Sequence, residues 1–170
     1  MGNSVGVEIE RKYIIKMPDE SLLRQQINHT ESDIIQIYLL SEQNETRRIR
    51  RRKYGDRILC TETKKIRIDE MSATEIEREI SEDEFSTLSL TIKEGTIPVQ
   101  KVRHAFLYDN QLFEIDIYPQ WKSTAIMETE LDNREKIVKM PSFIEIVSEV
   151  TGEGSYSNAA MSKKMPKELV

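Results

Sequence analysis

The sequence is short of the residues that lock, break or anchor a chain. One cysteine, Cys60, stands among 170 residues, which excludes an internal disulfide and fits a reducing compartment. Six glycines and five prolines leave no low-complexity linker, and no shift of composition marks a second unit. A single domain over residues 1–170 is expected. No apolar run approaches the length of a membrane span, and the opening MGNSVGVEIERK offers no stretch suited to a signal peptide, so a cytoplasmic protein is expected. An excess of basic charge is missing too: 25 Lys and Arg against 30 Asp and Glu give a net −5, whereas nucleic-acid binders of this size are more often basic.

What the chain has instead is charge of both signs, laid out with a period of two. The segments VEIERKYII, DIIQIYLL, TRRIRRRK, RILCTETKK, TEIEREI, PVQKVRHAF, LFEIDIY and AIMETEL alternate polar with apolar residues and read as strands. Three helices are predicted between them. One runs from about Pro18 to Ile27, and one begins at Ser81, which has capping-box spacing to Glu84. The third covers PSFIEIVSEVTG, where Phe143, Ile146, Val147 and Val150 share a helical face and Gly152 offers a stop. The predicted class is α+β, mainly antiparallel β.

Within the strands, like charges recur at i and i+2. Glu8 and Glu10 flank Ile9, with Lys12 next in phase, and Arg48 and Arg50 flank Ile49. The same holds for Glu75 with Glu77, Lys101 with Arg103, Glu114 with Asp116, and Glu128 with Glu130. Such pairs sit roughly 7 Å apart on one sheet face. A solvated outer face is the ordinary explanation for any one of them. An ordinary surface mixes signs, however, and here each strand keeps one sign over its pair. A sheet closed on itself, charged within and apolar outside, accounts for the whole set, with an open curved sheet as the competitor. Helices then cover the outer Ile35, Ile37, Leu39, Phe113, Ile115 and Ile117.

Clustered cations inside such a hollow require a multiply charged anion, since unpaired buried charge is very costly. Arginine forks match phosphate oxygens, and lysine adds point charge. Facing carboxylates suit a hard divalent cation, Mg²⁺ or Mn²⁺, that bridges to phosphate. Placing Ile58 and Cys60 outside turns Thr61, Thr63 and Lys65 inward, together with Gln36 and Tyr38. Cys60 is then a small core residue, and His104, next to inward Arg103, points away from the hollow. With no Ser–His or Cys–His arrangement, the nucleophile is water or a substrate hydroxyl, activated by metal or by a neutral lysine, Lys12 or Lys65.

The VEIERK segment resembles the E-x-E-x-K signature of the CYTH family, or triphosphate tunnel metalloenzymes. In chain order Q-I-Y, R-I-R, T-K-K, E-I-E, K-V-R, E-I-D, E-T-E and the closing EVTGEGSYSN extend the resemblance over roughly residues 5 to 160. It implies an eight-stranded antiparallel barrel, closed or nearly so, with helices outside, a divalent metal and a triphosphate substrate. Glu8, Glu10, Glu128, Glu130 and Asp116 are the implied metal ligands, and Lys12, Arg48, Arg50, Lys65, Lys101 and Arg103 the implied phosphate ligands. Glu75 and Glu77 match a supporting acidic pair, with Glu114 a further supporting acid. Family members often carry a basic residue where Ala73 stands, so that contact is expected to be missing or supplied by Arg57 or Arg52. The chain after Thr151 is expected to plug one end.

Four functions compete: hydrolysis of inorganic, thiamine or nucleoside triphosphate, cyclisation of ATP, non-catalytic polyphosphate binding, and nucleic-acid binding through RRIRRRK. Hydrolysis needs no base-and-ribose pocket and leads. The complete carboxylate set speaks against a purely binding module, and RRIRRRK lacks neighbouring aromatic stacking groups. The expected partner is a small triphosphate, with a homodimer allowed and neither nucleic acid nor membrane expected.

Overall fold

The structure, a computed structural model, describes residues 4–169. Its elements are β1 (Ser4–Lys16), α1 (Glu20–Arg24), β2 (Ile27–Leu39), β3 (Glu45–Tyr54), β4 (Arg57–Arg67), β5 (Ser72–Ile80), α2 (Glu82–Ser89), β6 (Val99–Tyr108), β7 (Gln111–Ile117), β8 (Thr124–Glu130), β9 (Ile146–Glu149) and α3 (Asn158–Met161). The sheet runs β5-β4-β3-β2-β6-β7-β8-β1, antiparallel throughout, and β1 returns to β5 to close an eight-stranded barrel. Closure depends on the length of β1. Its first half, Ser4–Ile9, pairs with β5, and its second half, Glu10–Lys16, pairs with β8.

Each predicted strand is present. Tight turns hold their register: Asp109 and Asn110, both at positive φ, join β6 to β7 as a two-residue hairpin requires. That turn sets Arg103 opposite Asp116. The expected helix starting at Ser81 is α2, with the Ser81 hydroxyl accepting from the Glu84 amide.

The helix predicted over PSFIEIVSEVTG does not form. Ile146–Glu149 is instead a ninth strand, paired with Tyr13–Ile15 of β1. Beyond Ile9 that edge of β1 is no longer covered by β5, and satisfying its backbone outweighs the helical spacing of the apolar residues. Ile146 and Val147 are β-branched and suit the strand.

The apolar residues pack in three places. Outside, Ile37, Ile49, Cys60 and Ile80 lie under Phe85 of α2, and Phe106, Phe113, Ile115 and Met127 lie beside Leu23 of α1 and Phe143. The third cluster fills one end of the barrel interior: Ile14, Val99 and Ile126 meet Tyr118, Tyr156 and Met161. The chain around α3 therefore stoppers that end, and the interior is a cup.

Candidate active site

Above the apolar stopper the inward side chains are polar and mostly charged, and most of them surround a cavity of about 370 Å³. The charges are sorted by strand. Consecutive strands β4, β3, β2 and β6 contribute Lys65, Arg67, Arg48, Arg50, Arg52, Lys101 and Arg103, with β2 adding neutral Gln36 and Tyr38. Consecutive strands β7, β8, β1 and β5 contribute Glu114, Asp116, Glu128, Glu130, Glu8, Glu10, Glu75 and Glu77, with Lys12 as the cation among them. One half of the wall is basic and the other acidic.

The two halves neutralise each other where they adjoin. At the β6–β7 junction Arg103 donates to Asp116 at 2.6 and 2.7 Å, to Glu114, and to Glu128 of β8 at 3.1 Å. At the β4–β5 junction Lys65 lies 3.1 Å from Glu75 and 3.2 Å from Glu8, and Arg48 lies 3.6 Å from Glu75. The hydroxyl of Thr63 donates to Glu77 at 2.7 Å. Lys12 lies 2.9 Å from Glu128.

Away from the junctions, charges go unmatched. Arg50 donates to the Gln36 amide oxygen at 3.0 and 3.1 Å, and Arg52 to the Ser32 hydroxyl at 2.9 Å; neither meets a carboxylate among the described residues. The Nε of Arg48 is buried without a partner. On the acidic side Glu10 and Glu130 are direct cross-strand neighbours, and no cation among the described residues bridges to either. Burial, with Arg48 and Arg103 nearby, pulls Arg50 down to about 10. Burial and then Glu114, Glu10 and Glu75 push Glu130 up. Burial and Glu75 push Glu8 up to about 7, against Lys65.

Neither a protein-family model nor a curated protein matches the chain. Among solved structures, two of the protein NE1496 are 25% identical to it, cover 94% of it, and superpose with TM-scores of 0.57 and 0.56 over 99% and 97% of their own length. One of these is named as an inorganic triphosphatase. PH1819 from Pyrococcus horikoshii OT3 shares the fold at 23% identity and a TM-score of 0.54, over 75% of this chain and 80% of its own. The chain has the fold of these triphosphate-tunnel proteins, consistent with its sequence resemblance to the CYTH family.

In this tunnel domain several expected residues occupy places that differ from the sequence-based reading. Lys101 and Asp116 do not line the cavity. They form a sealed pair behind it at 2.5 Å, both essentially without exposure, with Lys101 also within 3.4 Å of Asn158. Burial pulls Lys101 down to about 8, while Arg103 and Lys101 outweigh burial and hold Asp116 at about 2. A neutral Lys12 or Lys65 is not what the wall provides. Burial alone would lower both, but Glu128 and Glu10 around Lys12, and Glu10, Glu75 and Glu8 around Lys65, raise them and keep them protonated.

Arg57 stands exposed at the β3–β4 turn, away from the cavity. The basic residue beside Ala73 is its cross-strand partner Arg67, and Arg52 also lines the cavity. Both follow from continuing the alternation, Arg52 from Arg50 and Arg67 from Lys65. Ser157 and Asn158, which reach the cavity from the stopper, carry no such signal, because only the return of the chain brings them there.

Proposed function

We propose that this chain is a divalent-metal-dependent triphosphatase whose preferred substrates are small, with inorganic triphosphate foremost. One observation carries the proposal: unmatched cations on β3 face unmatched carboxylates on β1 and β8 across a shared cavity. On the basic side the buried, unpartnered Nε of Arg48 and the poorly matched Arg50 carry an electrostatic cost, while Glu10 and the exposed Glu130 stand open to a ligand. An anion against the basic half together with a cation against the acidic half satisfies both. The likeness to an inorganic triphosphatase supports the same reading.

The donor set fits a hard cation, because Glu10 and Glu130 offer only carboxylate oxygens and neither is in direct ion-pair contact with a lysine or arginine among the described residues, although Lys12 and Lys65 lie near Glu10. Glu8, Glu10 and Glu130 would hold Mg²⁺ or Mn²⁺, with Glu128 reachable once Lys12 turns to phosphate. The bound ion would supply positive charge to the phosphate oxygens and favour ionisation of the attacking water.

The remaining work belongs to the chain. Arg48, Arg50 and Arg52 repeat every second residue of β3, roughly 7 Å apart, and grip successive parts of a short polyphosphate. Arg103 is clamped by Asp116, which Lys101 backs, so its guanidinium meets the developing charge with little reorganisation. Lys12 and Lys65 remain protonated and bind phosphate as point charges. Water attacks the terminal phosphorus, the bridging P–O bond breaks, and diphosphate leaves.

The stoppered end favours short substrates, and the cavity wall is polar nearly throughout and mostly charged, with Tyr38, Leu112 and Ala159 as its few apolar or aromatic members. No base-and-ribose pocket appears among the described lining residues, which favours hydrolysis over cyclisation. The test is a panel of inorganic, thiamine and adenosine triphosphates with Mg²⁺ or Mn²⁺, reading orthophosphate and cyclic nucleotide. Orthophosphate release, greatest for inorganic triphosphate and lost in chelator, is expected. Cyclic AMP as the main product from ATP, or turnover undiminished in excess chelator, would refute the proposal.

A further inference from the structure

Both histidines of the chain lie on the outer face of the barrel, beside α1 and away from the cavity. Strand β2 slips register against β6 between Ile27 and Thr30, where Asn28 has φ of +54°. His29 lies at this irregularity and shares the face of Glu31, two residues on, and of Glu31's cross-strand partner His104. Among the described residues, these three form the one group of His, Cys, Asp or Glu side chains whose ligand atoms all lie within 4.8 Å of one another.

The Nε2 of His29 is 3.0 Å from the Nδ1 of His104, and the Oε2 of Glu31 is 3.9 Å from the same Nδ1. His104 has no exposure, and its Nε2 lacks a hydrogen-bond partner although Glu20 Oε2 stands 3.4 Å away. Arg24 steadies both carboxylates, donating to Glu31 at 2.9 Å and to Glu20 at 2.8 Å.

A hydrogen bond shared between the two imidazoles is the simplest account, and it is incomplete. Arg24 accounts for the nearness of the two carboxylates, but the shared bond gives no role to the Glu31 oxygen 3.9 Å from the same Nδ1 and leaves His104 Nε2 without a completed hydrogen bond. A cation would use all three ligand atoms at once. It would take lone pairs from His29 Nε2, His104 Nδ1 and Glu31, and so fix the His104 proton on Nε2, aimed at Glu20. An imidazole that binds metal through one nitrogen and donates to a carboxylate through the other is the usual zinc arrangement. Two imidazoles and one carboxylate suit zinc, copper, nickel or cobalt better than magnesium. Zinc bonds of about 2.0–2.1 Å in tetrahedral array place ligand atoms about 3.4 Å apart. The two nitrogens need open only slightly, and Glu31, which is exposed, can close in.

We propose that His29, Glu31 and His104 bind a borderline transition-metal cation, with zinc the type case, on the outside of the barrel, and that Glu20 orients His104. The ion ties α1 and the irregular start of β2 to β6, directly behind Arg103. A coordination position is left for water.

The test uses the untagged full chain, stripped of metal and titrated with Zn²⁺ in excess Mg²⁺ so that hard-cation sites in the cavity are already filled. One zinc per chain is expected, with the Co²⁺ form showing the intense visible absorption of a four-coordinate site. His29→Ala should weaken zinc binding at least about 100-fold, and Glu20→Gln about 10- to 100-fold. The cavity double variant Glu10→Gln/Glu130→Gln should bind zinc as wild type does. Glu31 is exposed, so Glu31→Gln reports on the same site if His29→Ala melts early without metal. Absence of zinc binding by the wild-type chain would overturn the proposal, as would unchanged binding in both His29→Ala and Glu31→Gln, or loss of binding in the cavity variant.

Discussion

Glu8, proposed as a metal ligand, is held in the cavity wall at the expense of the fold. Its carboxyl is pushed up to about 7, first by burial and then by Glu75, from an ordinary value near 4.5. Between those values the folded state holds a proton that the unfolded chain has released, so stability falls as pH rises through this window. Glu8→Gln should therefore be more stable than wild type at pH 8, on the order of 1–2 kcal/mol once partial exposure is allowed for. The gain should vanish below about pH 4.5, where both states are protonated. Denaturant melts of both proteins at the two pH values check this, and the same variant should lose metal-dependent turnover. Arg50 carries the opposite kind of strain. Arg50→Ala should weaken triphosphate binding at least tenfold more than orthophosphate binding, as competition assays would show. Asp116 differs from both because its partners are buried with it. Asp116→Asn leaves Lys101 and Arg103 short of a counter-charge and should cost about 3–5 kcal/mol in a denaturant melt.

Much of this was legible residue by residue, because a strand's period of two fixes side-chain direction once a single residue is placed. Putting Cys60 outside was enough to turn Thr61, Thr63 and Lys65 inward, and an inward Arg103 was enough to read His104 as facing away from the cavity. What alternation does not give is the partner of each charge. Lys101 and Arg103 look equivalent in the sequence. Yet the stopper and Asn158 close over the first, while the second reaches the cavity wall.

At the scale of elements, local signals held where nothing long-range competed with them. Ser81 caps α2 as its spacing to Glu84 predicts, and Ser81→Ala should cost about 1 kcal/mol in a thermal or denaturant melt. Residues 141–152 show the opposite outcome. Phe143, Ile146, Val147 and Val150 have helical spacing, but the open edge of β1 is a feature of the closed barrel and cannot be read from that segment. The apolar end of the barrel was half visible. Continuing the inward phase from Lys12 leads to Ile14, from Lys101 to Val99 and from Glu128 to Ile126. The residues that meet them, Tyr156 and Met161, arrive from a segment without periodicity. Met161→Ala should open a cavity beneath the site and destabilise by about 2–5 kcal/mol.

At the scale of the whole molecule, the ordering of the strands gives the chemistry its shape. Alternating charge along each segment predicted a charged interior, but the gathering of basic strands on one side and acidic strands on the other depends on the order β5-β4-β3-β2-β6-β7-β8-β1. That order cancels charge where the halves adjoin and leaves Arg50 and Arg52 facing Glu10 and Glu130. The most direct measurement is orthophosphate release from inorganic triphosphate by wild type and by Glu10→Gln/Glu130→Gln, each with Mn²⁺ and with chelator. The account predicts release by the wild type with metal, and none in chelator or from the folded double variant. Release by that variant at the wild-type rate would contradict it.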